Sequence, residues 1–315
     1  VSILKRRMSS VLEFYRWCEN NKLIKAKRKM WNEKTKYFSI ENELGIQYSI
    51  SYKKTEFTIK GSSRQKIYED TIDDGGQLKP LKEEQLFELI KVLKKSKNIE
   101  MVLIHEFSLI TGARIQTILT IPFEIIKNIT YTSDEKFKII PIGGRTGIDT
   151  KYGKPHKLYV PMNFLIKLHD YCKSDRFLKR YNKSRKDINT TLFLTPSGEA
   201  YYDKKNIMYQ ESNKKYFKNG NAVRKFIKYL NNNNLSFNYR FHDLRATYGL
   251  ILSEIMLKQV KNGCMTLEQA RNIVKERMNH ESYTTTEKYL NYKSSLLLID
   301  EIQEKYYQYL ADGEV

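Results

Sequence analysis

Apolar residues recur at three- and four-residue spacing over much of the chain, the mark of helices packed by one face. Residues 3–24 place Ile3, Met8, Val11, Leu12, Tyr15 and Trp17 near that spacing, with Lys5, Arg6, Arg7 and Arg16 mostly elsewhere, which predicts an amphipathic helix with a basic face. One such helix makes no domain. Either Lys25–Ile59 completes a small helical domain or further helices precede it, and the second is favoured, because a first residue other than Met points to a fragment. Polar positions around Gly61 and the Gly75-Gly76 pair predict a linker over 61–77, between an N-terminal region of 1–60 and a second domain of 78–315. In that domain 81–94 and 100–119 predict helices, with Gly112 between the halves of the second. Short apolar runs at 136–141 and 158–161 around the polar loop 143–157 predict a β-hairpin. Helices are expected again at 162–173, 220–232, 243–258, 266–278 and 283–290. Leu298, Ile302, Tyr306 and Leu310 form a last amphipathic stripe, fit to cap its own core or to dock on a neighbour. The expected fold class is mainly α with a small antiparallel β-sheet (α+β).

Charge narrows the function. With 56 Lys and Arg against 36 Asp and Glu in 315 residues the formal charge is +20, so a polyanionic partner is expected; nucleic acid leads and an anionic membrane surface follows. A hydrophobic content of 40% with 14 Gly and 6 Pro excludes a mainly disordered or collagen-like chain. No apolar stretch approaches a membrane span, and none follows Lys5, Arg6 and Arg7 as in a secretory signal. The three cysteines, Cys18, Cys172 and Cys264, are far apart and odd in number, which fits a reducing cytoplasm better than a disulfide framework or a cysteine-rich zinc site.

Five histidines bound the candidate chemistry: His105, His156, His169, His242 and His280. His242 sits in FHDLRATYG with Arg245 one helical turn on, and His280 in MNHESYTTTEKYL with Tyr289 nine residues on. Alone, each pair reads more readily as capping or packing. A third element, Thr111-Gly112-Ala113-Arg114, sets an arginine beside a permissive glycine at a helix boundary. TGAR, HDLRATYG and NHESYTTTEKYL, in that order and at those internal spacings, resemble the tyrosine recombinase (phage-type integrase) family. The resemblance extends to residues 1–24, which look like the last helix of that family's core-binding domain, and to LKPLKEEQLFELI, which looks like the start of its catalytic domain. Residues 25–77 stay largely unmatched.

The resemblance implies a catalytic-domain architecture of that family with a partial helical core-binding domain, and a site-specific recombinase that cuts and rejoins DNA through a covalent 3′-phosphotyrosyl intermediate, with no cofactor, metal or ATP. The residues carried over are Arg114, His242, Arg245, His280 and Tyr289. A hairpin lysine completes the set: Lys151 is favoured at the end of a strand entering the turn, and Lys154 is held in reserve. The chemistry suits these residue types. Guanidinium offers two aligned charged donors to phosphate oxygens, a phenol must lose its proton to attack, for which the His242 imidazole is the candidate acceptor, and a lysine ammonium can protonate the departing 5′-oxygen. Tyr289 is expected on a helix edge facing solvent or DNA, with Tyr283 and Tyr292 as packing residues. In place of an acidic residue three positions after the first arginine the chain has Thr117, and Met278-Asn279 stands where Leu-Gly is common. Phosphate contacts are expected from Lys5, Arg6, Arg7, Arg64, Lys66 and Lys154, and from the cluster at 173–186. The implied partners are double-stranded DNA, a homo-tetramer joined through the C-terminal helix, and directionality or host accessory factors, in a nucleoid-associated, prokaryotic or phage setting. A type IB topoisomerase-like enzyme and a catalytically silent DNA binder are the alternatives.

Overall fold

The computed structural model describes residues 2–25, 27–28, 30–41, 47–57, 71–130, 135–184, 190–204 and 218–292. The chain divides into two compact units between Glu69 and Asp70.

In the first unit, helix α1 (Ser2–Asn20) is followed by strands β1 (Glu33–Glu41) and β2 (Gln47–Thr55), paired antiparallel with Glu33 opposite Thr55. Paired strands at 33–41 and 47–55 thus stand where a small helical domain over 25–59 was one of two expectations. Glu33 joins the two parts: its Oε1 accepts from Arg16 Nη2 at 2.7 Å and from Trp31 Nε1 at 2.8 Å. Val11, Phe14 and Trp17 on α1 are exposed, as are Arg6 and Arg7 on the basic side. Arg64 and Lys66, and the side chain of Lys5, lie outside the described residues.

The second unit opens with a short hairpin, β3 (Ile72–Asp73) and β4 (Gln77–Leu78), turning through Gly75 (φ +69°) and Gly76 (φ +151°). Residues 72–77, the described end of the expected linker over 61–77, thus belong to this hairpin, and 61–70 lie outside the described residues. Asp-Gly between two apolar residues is a hairpin signal, and Ile72 and Leu78 are both buried. Helices α2 (Glu83–Lys95), α3 (Ile99–Thr111), α4 (Ile115–Thr120) and α5 (Phe123–Lys127) follow. The antiparallel hairpin β5 (Phe137–Ile142) and β6 (His156–Pro161) leads to α6 (Met162–Lys173), α7 (Asp175–Lys183) and α8 (Asn221–Asn233). Helices α9 (Phe241–Lys261), α10 (Leu267–Met278) and α11 over 283–292 close the described chain. The class is mainly helical with small antiparallel sheets. The stripe Leu298, Ile302, Tyr306, Leu310 lies outside the described residues. No helix among them is long and apolar enough to cross a membrane.

The main core gathers Leu103, Ile104 and Phe107 of α3 with Leu165 and Leu168 of α6, Phe177 of α7 and Leu244 of α9, all nearly inaccessible. Each such side chain contributes about 1.5–3 kcal/mol of burial. A second, smaller core positions the site. Ile72 and Leu78 of the first hairpin pack there with Ala246 of α9, Val274 and Met278 of α10, and Tyr289 and Leu290 of α11. Helix α7, rich in charge, was not expected. Ser174 caps it by accepting from Phe177 N, and Phe177 and Arg180 form its buried face.

Candidate active site

Two arginines are brought together from distant segments. Helix α3 ends at Gly112 in the left-handed conformation (φ +67°), where a Cβ would stand 2.5 Å from the Tyr248 ring. That turn swings Arg114 to the start of α4 with its guanidinium inward. Arg245, one turn after His242 on α9, is 4% exposed and donates from Nη1 to Gly112 O at 2.8 Å and from Nη2 to Met278 O. The carbonyl that ends α3 therefore fixes the second arginine beside the first. The two lie close enough that burial, followed by the Arg245 charge, lowers Arg114 to about 10.

Both point at Asp74. Its Oδ2 lies 3.1 Å from Arg245 Nε and its Oδ1 3.8 Å from Arg114 Nη2. The Tyr289 hydroxyl donates to the same Oδ2 at 3.1 Å, and His280 Nε2 stands 3.4 Å from it. Burial by itself would raise the Asp74 carboxyl, but His280 and the charges of Arg245 and Arg114 outweigh it and hold the group well below the usual carboxylate range. Burial, reinforced by Asp74, pushes the Tyr289 phenol up. His280 is lowered, by burial first, and its Nδ1 is fixed by Thr286 Oγ1 at 3.1 Å. Its ring stacks on Tyr289 with centroids 5.3 Å apart.

Tyr289 is 0% exposed, which corrects the expectation of a helix edge open to solvent or DNA. Helix α11 turns its Tyr289-Leu290 face into the second core, and Gly249 of HDLRATYG makes room: a Cβ there would come within 2.6 Å of the ring. The ring is interior while the hydroxyl reaches the carboxylate shared by the two arginines. The neighbouring tyrosines do otherwise. Tyr283 is exposed and bonds Asn272 at 2.6 Å, and Tyr292 packs on the edge of the second core.

His242 is lowered to about 4, by burial first and then by the charges of Arg245 and Arg114. Lys151 lies in a 3-10 turn before β6, not at a strand end, and lines the small polar cavity shared by Arg114, Arg245, Thr117 and His156. Lys154 is turned away into an ion pair with Glu281. The structure thus brings Arg114, Arg245, His280, Tyr289, His242 and Lys151 to one place and leaves Lys154 at its rim. Among the described residues no group of three or more His, Cys, Asp or Glu is placed to hold a metal.

Two residues beside the site were missed. Asp74 fell in the expected linker, and the Asp-Asp-Gly-Gly turn was the signal that locates it. His156, lowered to about 4 mainly by burial, has no local motif; only the β5–β6 register carries it to the cavity. The 173–186 cluster needs correcting too. Arg176 and Arg180 are not free cations but pair with buried Glu100, Arg176 Nη2 at 2.7 Å and Arg180 Nη2 at 3.1 Å.

No family model and no curated protein matches the chain. Among solved structures it is similar in fold to the Tn1549 transposon integrase in complex with a circular intermediate DNA, at 15% identity and a TM-score of 0.42, over 67% of this chain and 60% of that one. It is also similar to a lambda integrase dimer bound to a COC′ core site, at 15% identity and a TM-score of 0.39, over 67% of this chain and 58% of that one. The chain thus spans about 60% of the length of these structures.

Proposed function

We propose that this chain is a tyrosine-type site-specific DNA recombinase, an integrase of a mobile element, that breaks and rejoins DNA through a phosphotyrosyl link at Tyr289. One observation carries the reading. Arg114, Arg245, His280 and the Tyr289 hydroxyl, from four separate segments, converge on a single pair of anionic oxygens. Asp74 supplies those oxygens in the free chain, and a scissile phosphodiester presents two non-bridging oxygens of the same charge sign and similar spacing.

The chemistry follows from what each group can give. Arg114 and Arg245 donate charged hydrogen bonds to the non-bridging oxygens and stabilise the charge that grows on them. The Tyr289 oxygen attacks phosphorus while the 5′-oxygen leaves, so one P–O ester replaces another and no external energy source is needed. The phenol proton passes to His242, which burial keeps neutral and able to accept. Lys151, lining the cavity, protonates the leaving 5′-oxygen. His280 holds a non-bridging oxygen through Nε2. Attack by a 5′-hydroxyl of a second duplex reverses the steps and completes exchange, which makes a DNA-bound oligomer the working form.

The test uses a nicked duplex from which the released 5′-segment is lost, so the covalent product accumulates. A pool of such duplexes with randomised cores, supplemented with DNA flanking the chain's own coding region, is incubated with wild type and Tyr289→Phe. Wild type is expected to yield protein-linked DNA and the variant none. An equal yield from both, or none from either, overturns the reading, and joining of two duplexes separates a recombinase from a nicking-closing enzyme.

A further inference from the structure

We propose that Asp74 is a resident surrogate for the substrate phosphate, and that the hairpin carrying it is a latch which a DNA phosphate must displace before Tyr289 can attack. This rests on the reading of the pocket as a phosphodiester site and adds its regulation.

The occupant and the proposed substrate compete for the same groups. Asp74 Oδ2 takes Arg245 Nε and the Tyr289 hydroxyl at 3.1 Å each, and Oδ1 faces Arg114 Nη2 at 3.8 Å. Two anions cannot share these donors, since the second would lie within contact distance of the first in a poorly solvated pocket. The nucleophile is also engaged: with its O–H directed at Asp74, Tyr289 has neither a free approach to phosphorus nor a free path for its proton to His242.

The fit is that of a stand-in. His280 Nε2 is buried, aimed into the pocket, and makes no hydrogen bond of good geometry, and Arg114 is held at ion-pair distance only. A tetrahedral phosphate is larger than a carboxylate and can reach both. The hairpin's tip and the contacts on its outer side are exposed. Its tip, Gly75-Gly76, has φ of +69° and +151° and is exposed, next to Lys151 Nζ. One clasp on its outer side is Lys288, one residue before the nucleophile, whose exposed Nζ donates to the Asp73 carbonyl at 3.1 Å and pairs with Asp73 Oδ2 at 3.4 Å. A second is Arg240 donating to Gln77 O. Ile72 and Leu78 share the second core with Tyr289 itself, so lifting the hairpin also loosens the packing around the nucleophile. Asp74 as a base for Tyr289 is the weaker alternative, because its oxygens occupy the two arginines that the substrate phosphate needs, so it must leave the pocket before the phenol proton is given up.

The experiment uses the full chain and inorganic phosphate as the probe, followed by calorimetric titration and by the melting temperature with and without phosphate. Asp74→Asn is expected to bind phosphate at least about tenfold more tightly than wild type and to regain on phosphate addition the melting temperature it loses without it. Arg114→Ala in that background is expected to remove the gain. Lys288→Ala, which removes both bonds of the exposed clasp and leaves the pocket intact, is expected to give a smaller gain of the same sign and guards against a folding failure of the first variant. On the nicked duplexes, adduct formation by Asp74→Asn is expected to be faster than by wild type, and amides of 72–78 are expected to exchange faster once DNA is bound. An Asp74→Asn protein that binds phosphate no more tightly and forms adduct more slowly assigns Asp74 to positioning and overturns the latch while leaving the recombinase reading in place. Tighter phosphate binding with no adduct from any variant supports the latch and sinks the recombinase reading instead.

Discussion

Two buried carboxylates in the second unit have nearly the same company and opposite uses. Glu100 on α3 receives Arg176 Nε at 2.8 Å and Nη2 at 2.7 Å, Arg180 Nη2 at 3.1 Å and the Tyr171 hydroxyl at 3.1 Å. Asp74 likewise faces two arginines and a tyrosine hydroxyl, with a histidine added. The Glu100 set is closed: one guanidinium grips both oxygens, and the acid stands in the first turn of a regular helix. The Asp74 set is slack, with one arginine at 3.8 Å, a histidine nitrogen unsatisfied, and the acid on a two-glycine turn. A saturated buried ion cluster fixes a fold, while an under-filled one with the same residue types can exchange its anion.

The widest separation between the two comes from neutralising each acid. Glu100→Gln leaves two arginines facing a neutral amide in the interior and is expected to lower unfolding free energy by about 3–5 kcal/mol, read by urea denaturation, with no recovery on adding phosphate. Asp74→Asn is expected to cost less and to recover with phosphate. Equal losses and equal recovery in the two variants erase the distinction.

Acid gives a smaller, graded contrast. His105, His156 and His242 are each lowered to about 4 from an ordinary value near 6.5, mainly by burial. Between those values the unfolded chain takes up protons that the folded chain refuses, so stability falls as pH drops from about 6.5 to about 4. The depressed carboxyls of Asp74 and Glu100 work in the next window down: their contribution is present above the ordinary carboxylate value and is lost as pH falls below about 4. His242→Asn is expected to flatten the upper window by one histidine's share and leave the lower one unchanged. His105, which bonds Met101 O and the Tyr239 hydroxyl deep in the main core, carries its share without any bearing on activity.

Why one cluster was legible in the sequence and the other was not follows from where their signals lie. Helix periodicity located α2, α6, α8, α9 and α10 within a few residues, because apolar positions recur along each at three- and four-residue spacing, and it ran α3 and α4 together across Gly112. The motifs around Arg114, His242, Arg245, His280 and Tyr289 named the side chains that converge. Local pattern cannot show what a charge meets after folding. Arg176 and Arg180 therefore read as phosphate ligands when Glu100 awaited them 76 and 80 residues earlier in the chain. Asp74 read as linker because its two neighbours of consequence, Ile72 and Leu78, are too few to show a period. The burial of Tyr289 escaped for a related reason: its helix has polar Thr284–Lys288 before it, yet the contact that decides the matter is with Gly249, forty residues upstream.

The finest form of the comparison lies within the β5–β6 hairpin, between two lysines three residues apart. Lys154 spends its charge on Glu281 at the exposed rim. An exposed pair of this kind contributes at most about 1 kcal/mol, so Lys154→Ala is expected to change adduct formation by no more than about fivefold. Lys151 faces the cavity of Arg114 and Arg245 and has a chemical duty in the proposed mechanism, so Lys151→Ala is expected to slow cleavage by about a hundredfold or more, the usual worth of a general acid. Replacing the leaving 5′-oxygen by sulfur separates duty from packing, because a thiolate departs without a proton. On that substrate Lys151→Ala is expected to cleave nearly as fast as wild type, whereas Arg245→Ala, whose loss is one of charge stabilisation at the non-bridging oxygens, stays slow. Rescue of neither variant moves the proton-donating role away from Lys151, and rescue of Lys154→Ala alone assigns it to the rim lysine instead.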